Sequence, residues 1–113
     1  FNKKRVMDYL RYSYKKKGLY LEQIKRYREY FAPDQMFIEA AENLFEKPMD
    51  VLSRIYRFLE IDDNYVPGNL SSKNVGGYKP DPSIAEVSRQ LTEYFRPHNE
   101  ALFEYLGKRF PWE

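Results

Sequence analysis

Residues 36–40 read MFIEA, a short apolar run set behind a turn, and no other stretch of the 113-residue chain carries a convincing strand signal. A strand cannot satisfy its own backbone donors and acceptors, so this one predicts a partner. Nothing else in the sequence offers a clear one. Either a weaker segment pairs with it, or the partner lies outside this chain.

The rest of the pattern is helical. Val6, Leu10 and Tyr14 recur at intervals of four among lysines and arginines, which predicts a helix over 2–16. Gly18, after a run of three lysines, is its stop. A second helix is predicted over 19–31, where Tyr20, Ile24, Tyr27 and Phe31 share a face, followed by a turn on Pro33 and Asp34. Residues 42–46 read as a connector, and Pro48 suits a first helical turn. Val51, Leu52, Ile55, Phe58 and Leu59 then make the strongest amphipathic stripe in the chain. Residues 61–80 have no helical period and hold three glycines and two prolines. A loop of ~20 residues inside a domain is usually functional or disordered. Asp81 and Pro82 suit a helix start, with Ile84, Val87, Leu91, Tyr94 and Phe95 on the buried face. Pro97 predicts an interruption, and a last helix carries Ala101, Leu102, Tyr105 and Leu106 to Gly107. Phe110 and Trp112 are expected to fold back on the core.

A chain of this length suits one domain. It has no cysteine, which excludes disulfides and thiolate metal sites, and its single histidine, His98, leaves no histidine-based metal cluster. No apolar run approaches the ~20 residues that span a bilayer, and no signal-peptide pattern opens the chain. The expectation is a soluble protein, cytoplasmic by default. The start at Phe1, inside a charged helical pattern, suggests a piece of something longer. Charge is unevenly spread: residues 1–28 hold ten Lys or Arg against two acids, and residues 34–64 hold eight acids against three bases. The basic end suits an anionic ligand, and a solvated helix face explains it equally well.

Candidate chemistry is sparse. Asp62 and Asp63 are adjacent, but paired carboxylates must converge on one substrate to exchange protons with it. His98, just after Pro97, suits a structural role. Asn69-Leu70-Ser71 matches the N-glycosylation sequon, which chance explains in a cysteine-free chain with no leader pattern. The loop SSKNVGGYKP, residues 71–80, is the better candidate. Gly76 and Gly77 permit close approach of backbone to a ligand, consecutive N–H groups can cradle an anion, and Lys73 and Lys79 add charge. It lacks the GxxxxGK[ST] spacing, and a linker shares its composition.

Four passages, in order, resemble the C-terminal part of a sulfotransferase that uses 3′-phosphoadenosine 5′-phosphosulfate (PAPS). KKKGLYLEQIKRYREYFAPDQMFIEAAENLFEKP is similar to the family's Arg-Gly-x-Tyr, helix, Phe-Pro-x-x-Gln, strand, Glu-x-Leu passage. VLSRIYRFLEID resembles the helix that follows, and SSKNVGGYKP stands where the family has its cofactor loop. LTEYFRPHNEALFEYLGKRFPW resembles the closing helix pair. The nearest branch is carbohydrate-directed, including heparan glucosaminyl sulfotransferases and bacterial relatives. Its loop reads Lys-x-Lys-Gly-Arg, then Pro. Here Lys73, Gly76 and Pro80 match, while Val75 and Gly77 replace the second lysine and the arginine.

The resemblance implies an α/β fold in which residues 1–113 are the C-terminal part of one P-loop-like parallel-sheet domain, mostly helical, with one strand at 36–40. The N-terminal cofactor-binding half is absent, and it is the implied partner of that strand. The implied reaction is in-line sulfuryl transfer from PAPS to a hydroxyl or amine, with adenosine 3′,5′-bisphosphate released. The nucleotide lid falls to Lys73, Gly76, Gly77, Tyr78 and Lys79, and a carbohydrate or other acceptor to Lys17 and Tyr20. The catalytic base belongs to the absent half, so the piece alone is expected to be inactive. A small autonomous helical interaction module without catalytic activity is the alternative. A nucleic-acid reading of the basic, tyrosine-rich start predicts steep salt dependence, and no nucleic-acid module pattern accompanies it.

Overall fold

Where apolar residues recur on one face, helices form. The computed structural model describes residues 2–71, 75–77, 79 and 81–112, the side chains of residues 9–12 excepted. Helices α1 (Lys3–Tyr12) and α2 (Tyr14–Lys17) replace the single helix expected over 2–16, because Ser13 leaves the helical region at φ −80°, ψ 46°. Gly18 ends α2 as expected. Helix α3 (Tyr20–Arg28) is followed by a 3₁₀ turn at Pro33–Gln35, then α4 (Ala41–Glu46), α5 (Pro48–Phe58) and α6 (Ile84–Leu106).

The expected strand does not form. Residues 36–40 are extended, with Met36 at φ −125°, ψ 123° and Ala40 at φ −76°, ψ 138°, yet among the described residues there is no strand and no sheet. The physical reason is that among the described residues no second extended segment pairs with it to complete a ladder. The segment is held by side chains instead. Ile38 packs on the core, its carbonyl oxygen accepts from the Lys108 ammonium, and Phe37 meets Phe58 at 5.6 Å between ring centroids. The α/β, parallel-sheet, P-loop-like expectation is therefore corrected to an all-helical architecture for the described residues.

Further expectations change. Ile84, Val87, Leu91 and Tyr94, expected on a buried helix face, are exposed, because no element among the described residues covers that face. Residues 42–46 are helix, not connector. Pro97 lies inside α6 without ending it, so the two predicted C-terminal helices are one of 23 residues. It closes on Gly107 in the left-handed region (φ 69°), where the absence of a Cβ removes the steric penalty.

Ala40, Val51, Leu102, Phe103 and Phe110 are the buried hydrophobic residues; Ala40, Phe103 and Phe110 cluster with Ile38, Leu106 and Trp112 packed around them, so the C-terminal tail does fold back. Phe110 lies 4.9 Å from Trp112 and 5.9 Å from Phe103 between centroids. The core is small for the chain. The radius of gyration is 17.6 Å, where a compact chain of this length has about 13 Å. A wide opening is lined by α3, α6, the extended segment and the C-terminal tail. No helix among the described residues is long and apolar enough to cross a membrane.

Candidate functional site

The opening is a cleft of about 1120 Å³, walled by α3, α6 and the extended segment with the start of α4. Gly18, at the end of α2, lines it where α2 meets α6. A Cβ there would stand 2.9 Å from two ring carbons of Phe95, so only glycine admits the aromatic ring. Beside this contact the Lys15 ammonium sits over the Tyr94 ring, 3.5 Å from its centroid. Lys25 and Arg28 of α3 face Tyr105 at 5.3 and 5.7 Å. These cation–π pairs join the basic helices α2 and α3 to α6, and among the described residues the buried Nε of Arg28 has no hydrogen-bond partner.

Tyr20 opens α3 and stacks on Trp112, 5.6 Å between centroids, and both line the cleft. The Trp112 indole N–H donates to Glu42 Oε2 at 3.1 Å, which ties the tail to the first turn of α4. Arg109 reaches Glu100 through both terminal nitrogens, at 2.8 and 2.6 Å, and this fork lines the same cleft near Arg96. The hydrogen bonds from Arg109 hold the Glu100 carboxyl below its ordinary range.

Glu39 is the charged residue that sequence reasoning passed over. Its side chain is 10% exposed and accepts from Arg54 Nη1 at 2.6 Å, Asn43 Nδ2 at 2.7 Å and the Ala40 backbone N–H at 2.9 Å. Burial pushes its carboxyl up, but the bonds from Asn43, Arg54 and Ala40, with the nearby Lys108 charge, outweigh that and bring it down to about 2. A carboxylate inside an apolar run signals a buried partner. The spacing along the chain does not say that the partner is Arg54.

The residues singled out from sequence are dispersed. Lys73 and Tyr78 lie outside the described residues. Gly76, Gly77 and Lys79 are exposed in the connection from α5 to α6. Nothing stands within 4 Å of where a Gly77 Cβ would be, and its φ is outside the left-handed region. Tyr20 lines the cleft; the Lys17 ammonium instead lies over the Tyr14 ring, 5.6 Å from its centroid. Asp62 and Asp63 diverge, the first accepting from Asn64 and the second from Arg57, so they do not form a dyad. His98 packs beside Tyr94 in α6.

No family model matches the chain, and no solved structure gives a significant match. Curated relatives do match. The chain is 33% identical over 98 residues to a membrane-associated sulfotransferase, kil1, of Dictyostelium discoideum, an alignment covering 86% of this chain and 20% of that protein. It is 29% identical over 117 residues to the mouse heparan sulfate glucosamine 3-O-sulfotransferases 3B1 and 3A1, covering 85% of this chain and 30% of each. The chain thus spans less than a third of the length of these relatives. The resemblance to the C-terminal part of sulfotransferases, drawn from the four passages, is borne out over most of the chain.

Proposed function

We propose, from this homology to sulfotransferases, that the chain is part of an enzyme that moves a sulfuryl group from PAPS to a hydroxyl or amine, and that its loop over 73–79 is the lid on the nucleotide. The observation that carries the reading is the similarity to sulfotransferases across 85–86% of the chain.

The loop's chemistry supports the lid role. Val75, Gly76, Gly77 and Lys79 are exposed, and among the described residues the backbone N–H groups of 75–77 donate to nothing. Open space around Gly77 leaves room for a phosphate to approach the backbone. Bound there, PAPS supplies the sulfuryl group and the bisphosphate leaving group. Lys79, with Lys73 from the sequence, would offset negative charge on that bisphosphate. Tyr20 and Lys17 are assigned to the acceptor side, Tyr20 as the aromatic wall of the cleft. No catalytic base is assigned to these residues. The apolar face of α6, with Ile84 and Val87 each 54% exposed and Leu91 40% exposed, would pack on the remainder of the same domain.

The test is the full-length protein assayed with PAPS against a panel of sugar hydroxyl and amine acceptors, with calorimetry on adenosine 3′,5′-bisphosphate. Transfer to at least one acceptor is expected. Replacing Lys73 and Lys79 together by Ala should weaken nucleotide binding. Transfer to no acceptor, with no binding of the bisphosphate, overturns the reading.

A further inference from the structure

Asn69-Leu70-Ser71 is the one Asn-x-Ser/Thr sequence in the chain, and its middle residue is not proline. Composition offered no reason to read it as more than coincidence. The folded geometry does. Asn69, Leu70 and Ser71 are all exposed, in the long connection between α5 and α6. The Asn69 Oδ1 accepts twice from the same residue, from the Ser71 backbone N–H at 2.9 Å and from its hydroxyl at 2.6 Å.

That arrangement matters for the amide nitrogen. Oδ1 is occupied by two donors, while among the described residues Nδ2 has no hydrogen-bond partner. Two donors on the oxygen also draw electron density toward it and make the Nδ2 protons easier to remove. The same turn occurs at Asn2–Lys4, Asp62–Asn64 and Asp81–Ser83, but the first has no hydroxyl at its third position and a carboxylate holds the first position in the other two. Among the described residues, only at Asn69 does the turn present an amide nitrogen beside a hydroxyl in the order a glycosylating enzyme reads. The neighbouring surface suits a bulky polar substituent, since Val66 is 61% exposed and Leu70 40% exposed.

We propose that Asn69 is an acceptor for N-linked glycosylation, with the Ser71 hydroxyl as its partner. The donor class is an oligosaccharide carried on a lipid pyrophosphate. Asn69 Nδ2 bonds to the anomeric carbon, and the bond from that carbon to the pyrophosphate oxygen breaks. The lipid pyrophosphate leaves with the electron pair, and one Nδ2 proton passes to a base of the transferring enzyme. The modification places the chain in a compartment that holds such an enzyme, in place of the cytoplasmic default. It does not depend on the sulfuryl-transfer reading.

Two measurements test it. In the native protein, release of glycans by peptide N-glycosidase in heavy-oxygen water should leave labelled aspartate at position 69, read by peptide mass mapping. In the full-length protein expressed through a eukaryotic secretory pathway, the gel mobility shift removed by the glycosidase should vanish in Asn69→Gln and Ser71→Ala and persist in Ser71→Thr. The shift is read on denatured total protein, so a variant that fails to fold still reports. A native peptide carrying only unmodified Asn69, or a shift that survives Asn69→Gln unchanged, overturns the proposal.

Discussion

Neutralising Glu39 is the sharpest probe of what holds the extended segment in place. The carboxyl falls from 4.5 to about 2 on folding. A drop of about 2.5 pH units, at about 1.4 kcal/mol each, corresponds to about 3.5 kcal/mol of stabilisation. Glu39 is 10% exposed but Arg54 is 37% exposed, and solvent screening of the arginine reduces this to about 1–3 kcal/mol. Because the folded-state value is depressed, the contribution is fully present above pH ~4.5 and is lost as pH falls toward ~2. Glu39→Gln should therefore lower the urea midpoint at pH 7, and flatten the decline of stability across that acid window. Urea titrations followed by circular dichroism at pH 7, 4 and 3 read both effects. In a double-mutant cycle with Arg54→Met, the coupling should exceed ~0.5 kcal/mol, as for partners in one network. An unchanged midpoint at pH 7, together with an unchanged acid slope, would refute the assignment of this ion pair as the anchor of residues 36–40.

Gly18→Ala should cost about 1–3 kcal/mol, because its Cβ meets the Phe95 ring at 2.9 Å and either the ring or α2 must shift; thermal unfolding reads the loss, and added Phe95→Leu should recover part of it. Gly107→Ala should cost about 1–2 kcal/mol through its left-handed φ of 69° alone, since nothing lies within 4 Å of the added carbon. Phe110→Ala removes a side chain only 6% exposed from a core of few residues, and a loss of about 3–5 kcal/mol should abolish cooperative unfolding in calorimetry.

The sequence was legible where a signal repeats locally. The stripe from Val51 to Phe58 became α5, and Gly18 and Gly107 end helices as their type suggests. Helix α4 was not legible, because six residues are too few to show a period, and its first turn is fixed by Asn43 reaching back to Glu39. Pro97 misled for a different reason. It removes one helical hydrogen bond, at a cost of about 3 kcal/mol, but Leu102 and Phe103 beyond it are buried and hold the helix in line. The apolar run at 36–40 misled because strand propensity describes a pleated, half-buried surface, which packing of Ile38 and Phe37 also satisfies. For the candidate site, glycines and lysines marked the loop, while the Glu39–Arg54 pair and the Trp112–Glu42 bond join residues whose separation no local pattern encodes.

Because the anchoring contacts and the glycine loop share no residue, stability and ligand binding should separate. At Gly77 a methyl group meets nothing within 4 Å, and the backbone is not left-handed, so Gly77→Ala should leave the melting temperature unchanged. If the loop closes its backbone onto a nucleotide, the same methyl stands where a phosphate must approach, and affinity should fall by about 10-fold, or ~1.4 kcal/mol. Calorimetry of the complete protein with adenosine 3′,5′-bisphosphate reads the second effect and differential scanning the first. Unchanged affinity in a variant that melts normally would make residues 75–77 a linker, and would leave the nucleotide to be held elsewhere. A fall in affinity at constant stability assigns the loop to the ligand, because nothing in the unliganded fold registers the change.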